Sequence, residues 1–226
     1  MKTQILTILF SVIYVLGYTQ NNEHIYPNFI GQELKSIKAN SGWKVLQKAS
    51  GDLNTDGTTD FALILESRDS VFEKRCSDCK LLKNKPRIIV VLLSHNSTLK
   101  TTIQNNKFIA RGDEGGMMPY LEPELSIENG LLNIYYQYTR SSQSYTFKFD
   151  ASQMVIIKAE STGVHSATGS FESLKYDFRK GELIWELGHI SQDKTETKIS
   201  PFDIKPKSLS EFEEMYEWEI IDHKLL

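Results

Sequence analysis

The chain has 226 residues, 40% of them hydrophobic and 24% charged, with a formal net charge of -3. That length and balance describe an ordinary folded domain that can bury a core without covalent staples. The slight acidic excess excludes the basic surface that a nucleic-acid binder needs, and beyond residue 20 no uncharged apolar run is long enough to cross a bilayer.

The first predicted element is a secretory signal peptide over residues 1–19. Lys2 supplies a short positive region, Ile5 to Leu16 an apolar core, and Gly17-Tyr18-Thr19-Gln20 a smaller, more polar stretch, with cleavage at Thr19 or Gln20. The alternative is a buried N-terminal strand or helix. Export implies a periplasmic or extracellular protein in which residues 20–226 form a single β-rich domain. Its partner would be an envelope or extracellular protein or glycan. Nucleic acid is not expected as a partner, nor a membrane span after signal removal.

Asn28 is placed to cap a helix over Phe29 to Ala39, with Ile30, Leu34 and Ile37 on one face, and Ser41-Gly42 ends it. Trp43 to Ala49 reads as a strand. Phe61 to Glu66 reads as a second strand with Phe61, Leu63 and Leu65 on one face and Ala62 and Ile64 on the other, so it belongs inside a sheet covered on both sides. Residues 67–86 are a charged excursion, expected to be a long exposed hairpin or loop. Arg87 to Leu93 carries an unbroken apolar run from Ile88. Further strands are predicted at Leu99 to Gln104, Glu124 to Ile127, Leu131 to Tyr138, Ser144 to Phe149, Met154 to Ser161, Gly169 to Phe178 and Glu182 to Leu187. Turns at Glu128-Asn129-Gly130 and Arg179-Lys180-Gly181 link some of them. Ser208-x-x-Glu211 has capping-box spacing before Phe212, Met215 and Tyr216, which predicts a C-terminal helix. The fold class is therefore mainly β (α+β): an antiparallel meander sheet or sandwich with a short N-terminal helix and a C-terminal helix. No internal repeat at a fixed period is visible, which argues against a propeller.

The sharpest chemistry lies in Gly51-Asp52-Leu53-Asn54-Thr55-Asp56-Gly57-Thr58-Thr59-Asp60. Hard oxygen donors recur at every second position, with glycine where the backbone must turn, as a loop that wraps calcium requires. Asp52, Asn54 and Asp56 supply side chains, the Thr58 carbonyl a main-chain ligand, and Asp60 closes the set. An EF-hand would need an acid at the twelfth position, where Leu63 stands, so a strand follows instead of a helix. The alternative is an ordinary Asx-rich turn without metal. This pattern resembles the calcium loops of FG-GAP/VCBS-type repeats, over about Trp43 to Glu66. As a whole the chain resembles exported bacterial proteins that carry a single such loop and a later Gly-Gly segment, here Gly112 to Met117. The resemblance implies calcium on Asp52, Asn54, Asp56, Thr58 and Asp60, and implies no activity.

Cys76 and Cys79 form Cys-x-x-Cys, which an oxidising compartment would close into a small disulfide. A zinc half-site would need two further ligands, and a redox pair would need a helix starting at the first cysteine. His24, His95, His165, His189 and His223 are scattered without metal-ligand spacing. Tyr135-Tyr136-Gln137-Tyr138 could stack on a sugar or simply build a strand. Asn96-Ser97-Thr98 fits a glycosylation acceptor. The first functional expectation is a non-enzymatic envelope or extracellular binding module with structural calcium. The alternatives are a carbohydrate- or polymer-acting hydrolase using Asp113, Glu114 or Glu122 as acid and base, and a periplasmic thiol-redox partner using Cys76 and Cys79.

Overall fold

The computed structural model describes residues 26–226 apart from Ser77, Asn96, Ser97 and Asp222. The expected signal segment, His24, and Asn96 and Ser97 of the glycosylation acceptor lie outside the described residues. Two antiparallel sheets share one core. The smaller contains β1 (Trp43–Gly51), β2 (Asp60–Ser67), β5 (Arg87–His95) and β6 (Thr98–Asn105), in the order β1-β2-β5-β6. Between β2 and β5 the charged excursion folds into a two-stranded hairpin, β3 (Val71–Glu73) with β4 (Leu82–Asn84). The larger sheet is a seven-stranded meander in strict chain order: β7 (Glu124–Glu128), β8 (Leu131–Gln137), β9 (Ser141–Asp150), β10 (Gln153–Val164), β11 (Ser170–Asp177), β12 (Glu182–His189) and β13 (Glu196–Pro201). A final small hairpin pairs β14 (Glu219–Ile221) with β15 (Lys224–Leu225).

Alternation within the strands explains the layering. Ala62 and Ile64 of β2 and Ile89 and Val91 of β5 face the meander, where they meet Leu132, Ile134, Tyr145 and Phe147. Leu63 and Leu65 of β2 and Ile88, Val90 and Leu92 of β5 face the other way, onto Phe29, Ile37 and Trp43. The central strands β2 and β5 of the smaller sheet are thus buried on both faces, as the two-faced apolar pattern of Phe61 to Glu66 predicts. The turn Asn129-Gly130 joins β7 to β8 with φ of 52° and 74°, the left-handed pair that a tight hairpin needs.

The short N-terminal helix is present but starts later than expected, and the expected C-terminal helix needs correction. The N-terminal helix, α1, spans only Leu34–Ala39. Asn28 Oδ1 caps a turn by accepting the Ile30 N–H at 2.9 Å. Residues 31 and 32 pair with β6 instead, through Gly31 N–H to the Thr101 carbonyl (2.8 Å) and Thr101 N–H to the Gln32 carbonyl (2.9 Å). Sheet bonds thus take the backbone groups that the longer helix would have used. At the C-terminus no α-helix forms. The Ser208–Glu211 capping box is present, yet it closes a single 3-10 turn, Leu209–Glu211, after which Phe212 is extended (φ -69°, ψ 132°). The Asn105 side-chain amide donates to the Leu209 and Phe212 carbonyls at 2.8 and 2.7 Å, satisfying groups that would otherwise favour helix continuation.

Candidate functional site

The acidic segment forms the tip of the β1–β2 hairpin, closed at its base by the Gly51–Asp60 pair. Leu53 points inward and is buried in the main core, which pins one side of the tip. Asp60 is fully buried. Its Oδ2 accepts the Leu53 N–H at 2.9 Å and its Oδ1 the Ser94 N–H at 2.8 Å, so it ties the loop to the neighbouring strand β5. Of the other donors, Asp52 and Asn54 are half-buried and Asp56 and Thr58 exposed, all turned over the loop. Asp56 N–H lies 3.2 Å from both Asp52 Oδ1 and Asn54 Oδ1, while Asp52 Oδ2 accepts the Gly57 N–H at 2.9 Å. Gly57, at φ 81°, makes that approach without strain. Asp56 accepts from the Thr58 hydroxyl and N–H and from the Asn54 amide, and those bonds hold its carboxyl below the ordinary carboxylate value. Four of the five expected ligand residues therefore gather on one small loop, and Asp60 forms its root. The donors are all oxygen, which suits a hard cation. Among the described residues no three His, Cys, Asp or Glu side chains form a metal-holding group, so any ion here would depend on Asn54, Thr58 and water as well as the acids.

The other sequence-predicted groups scatter. Glu114 is held by Arg75 Nε at 2.7 Å and accepts the Arg111 N–H at 2.8 Å. Glu122 accepts from Gln47 at 3.0 Å. Asp113 opens onto a different cavity, beside Lys83 and Lys85. The three acids thus have three separate surroundings and form no shared acid–base centre. Cys76 and Cys79 are bonded to each other. They lie in the loop between β3 and β4, and among the described residues no helix starts at Cys76. Tyr136 is fully buried and Tyr138 stacks beside it at 6.4 Å, so of this aromatic run only Tyr135 faces outward. His165 and His189 both bond Thr168, through its hydroxyl and its carbonyl respectively, and serve a surface turn.

Sequence reasoning missed a buried ionic network under the charged excursion. Arg87 and Arg111 are completely buried. Arg87 holds Glu66 at 2.8 Å and donates to the Ala110 and Leu121 carbonyls. Lys44 reaches the same carboxylate at 2.9 Å, and the Tyr120 hydroxyl also donates to it. Arg111 grips Glu73 through Nε and Nη2, at 2.9 and 2.8 Å, and donates to Tyr26, Asn106 and Ile109. Only the cross-strand Glu66–Arg87 pair, at directly facing register positions of β2 and β5, could have been found by aligning the two predicted strands.

These features define a class: an antiparallel β-sandwich with a meander sheet, an acidic hairpin tip and an internal ionic layer. Comparison with known protein families, with characterised proteins and with solved structures finds no match. Among the described residues, no helix is long and apolar enough to cross a membrane.

Proposed function

We propose that the chain is an exported, non-enzymatic binding module whose β1–β2 tip is set by a calcium ion. The observation that carries this reading is the convergence of Asp52 Oδ1 and Asn54 Oδ1 on a single N–H, that of Asp56, whose own carboxylate folds back over the same loop. Asp52, Asn54, Asp56 and the Thr58 carbonyl would hold the ion, with Asp60 fixing the base of the loop. Bound calcium supplies the positive charge that offsets the repulsion between neighbouring carboxylates. The spacing that resembles FG-GAP/VCBS calcium loops supports the same assignment. Export is supported by the Cys76–Cys79 bond, which persists in oxidising compartments. Affinity on the order of 10⁻⁴ to 10⁻³ M suffices where calcium is abundant.

Thermal unfolding with and without calcium tests the reading. At roughly a hundredfold excess over the dissociation constant, the ion should add about 2.7 kcal/mol to stability. Asp56→Ala should remove that gain. A melting temperature that saturating calcium leaves unchanged overturns the assignment.

A further inference from the structure

The chain as a whole is acidic, with a formal net charge of -3, but residues 71–85 carry five basic side chains against two acidic ones. These residues form the β3–β4 hairpin, and the Cys76–Cys79 bond lies in the loop at its far end. One side of the hairpin is anchored to the protein. Glu73 is buried and held by Arg111 at 2.8 Å, and Arg75 is held by Glu114 at 2.7 Å. Asn84, on the same side as Glu73, is buried too.

The other side has no such partners. Successive strand residues point to opposite faces, so Phe72 and Lys83, which pair directly, turn away from Glu73 and Asn84. Phe72 is 56% exposed, and Leu81 and Leu82, at the start of β4, are 62% and 51% exposed. Lys74, Lys80 and Lys83 are exposed in the same short span. Among the described residues, no ion pair engages Lys74, Lys80, Lys83 or Lys85. Large apolar side chains grouped in water mark a contact surface, and two ion pairs and a disulfide hold this group in place. Its composition defines the partner. The apolar side chains need a non-polar phase to enter, and the lysines need anions around it. Long lysine stems let the ammonium groups stay at a polar level while their neighbours go deeper. An anionic phospholipid bilayer offers both, with phosphates at its surface and hydrocarbon just beneath. A soluble polyanion would engage the lysines and leave Phe72 and the leucines in water. The acidic remainder of the chain is repelled by such a surface, so charge also orients the molecule with this hairpin first.

We propose that the β3–β4 hairpin docks the protein on an anionic phospholipid surface: Phe72, Leu81 and Leu82 enter the headgroup boundary, and Lys74, Lys80, Lys83 and Lys85 pair with lipid phosphates. This contact goes beyond the calcium assignment and does not depend on it. Co-flotation of the full chain with vesicles, without added calcium, tests it. Vesicles of phosphatidylcholine and phosphatidylglycerol in equal parts should carry the protein upward, and pure phosphatidylcholine should not. Each lysine near an anionic surface is worth roughly fivefold in partitioning, so Lys74→Gln with Lys83→Gln should weaken binding about twentyfold. Lys194→Gln with Lys198→Gln, an equal charge change at the exposed β13 edge, should leave it within about twofold. Phe72→Ser with Leu81→Ser should weaken it roughly tenfold, through lost apolar insertion. Every substituted side chain is exposed, so the variants retain the fold. All are made in the same chain, so any contribution from outside the hairpin is common to them. No flotation with the anionic vesicles, or flotation that survives both hairpin variants, overturns the proposal. Binding that needs the lysines but ignores Phe72→Ser with Leu81→Ser also overturns it, and assigns the hairpin to a soluble polyanion such as heparin. A protein that floats with anionic vesicles while its melting ignores calcium keeps this contact and loses the β1–β2 assignment, and the reverse result does the opposite.

Discussion

At the scale of single residues, the two buried arginines dominate. Taking a charge out of water is costly, so each is stable only with its carboxylate in place. Burial alone would raise the Glu73 carboxyl, but Arg111 and Tyr26 outweigh it and hold the group below the ordinary value. Glu66 is likewise raised by burial and lowered further by Tyr120, Lys44 and Arg87. A carboxyl whose folded pKa is depressed contributes stability that is complete above its unfolded value, here 4.5, and lost as pH falls through the folded value. The melting temperature should therefore hold from pH 7 to about pH 5 and decline below that. Glu73→Gln should cost about 3–5 kcal/mol at neutral pH, because it strands Arg111, and should flatten the acid decline. Urea titrations at pH 7 and pH 4 measure both effects. A Glu73→Gln protein with the wild-type acid profile would show that this pair does not contribute to the pH dependence.

At the scale of elements, strands were legible wherever side chains alternate or run apolar, and illegible where solvent covers both faces. β13 (Glu196–Pro201) is exposed along nearly all its length and carries no periodic signal. The charged excursion reads correctly as a hairpin, yet its composition hides that Glu73 is buried, because the partner Arg111 lies 38 residues away. The capping box at Ser208 is real, and what the local pattern could not show is that Asn105, more than 100 residues earlier, meets the carbonyls just beyond it. The acidic tip was legible as a constellation, since its five positions sit within one turn. The separate part played by Asp60 depends on Ser94, in a strand that the loop pattern does not include. The depression between β4, the Gly112 turn and Tyr120 was invisible for the same reason: these elements meet only in three dimensions. At this scale the disulfide makes a modest, testable contribution. Closing so short a loop should add about 2 kcal/mol by restricting the unfolded chain. Cys76→Ser with Cys79→Ser should lower stability by that amount in chemical denaturation while leaving the proposed calcium stabilisation of the β1–β2 tip intact. A loss of the calcium response in that variant would mean that the two hairpins are coupled.

At the scale of the whole molecule, the meander is wider than the four-stranded sheet it packs against, and the C-terminal segment from 202 to 226 covers the remainder. Its backbone joins the meander through the Ile156 N–H to Lys207 carbonyl bond at 3.0 Å, and Asn105 ties it to the end of β6. Phe212 sits where the layers meet, 4.8 Å from Phe108, 5.6 Å from Phe147 and 5.4 Å from Trp218 between ring centroids. Trp218 in turn stacks on Phe178 at 5.2 Å, and Leu226, the last residue, is buried. Apart from its 3-10 turn and the small β14–β15 hairpin, this segment runs without regular secondary structure, yet its Phe202, Phe212, Trp218 and Leu226 pack into the main core, so it should unfold with the sheets and not before them. Phe212→Ala should cost about 3–5 kcal/mol through lost burial and the cavity left behind. Asn105→Ala should also destabilise, by about 1–3 kcal/mol for each backbone group it leaves unpaired. If the segment and the sandwich form one cooperative unit, both variants should lower the urea midpoint without changing the slope of the transition. Tryptophan fluorescence, which reports on Trp43, Trp185 and Trp218 together, should then follow the same curve as the β-sheet circular dichroism. Two separated transitions in the wild-type chain would instead make the C-terminal segment a detachable cover, with the inner face of β10 to β12 exposed on its release.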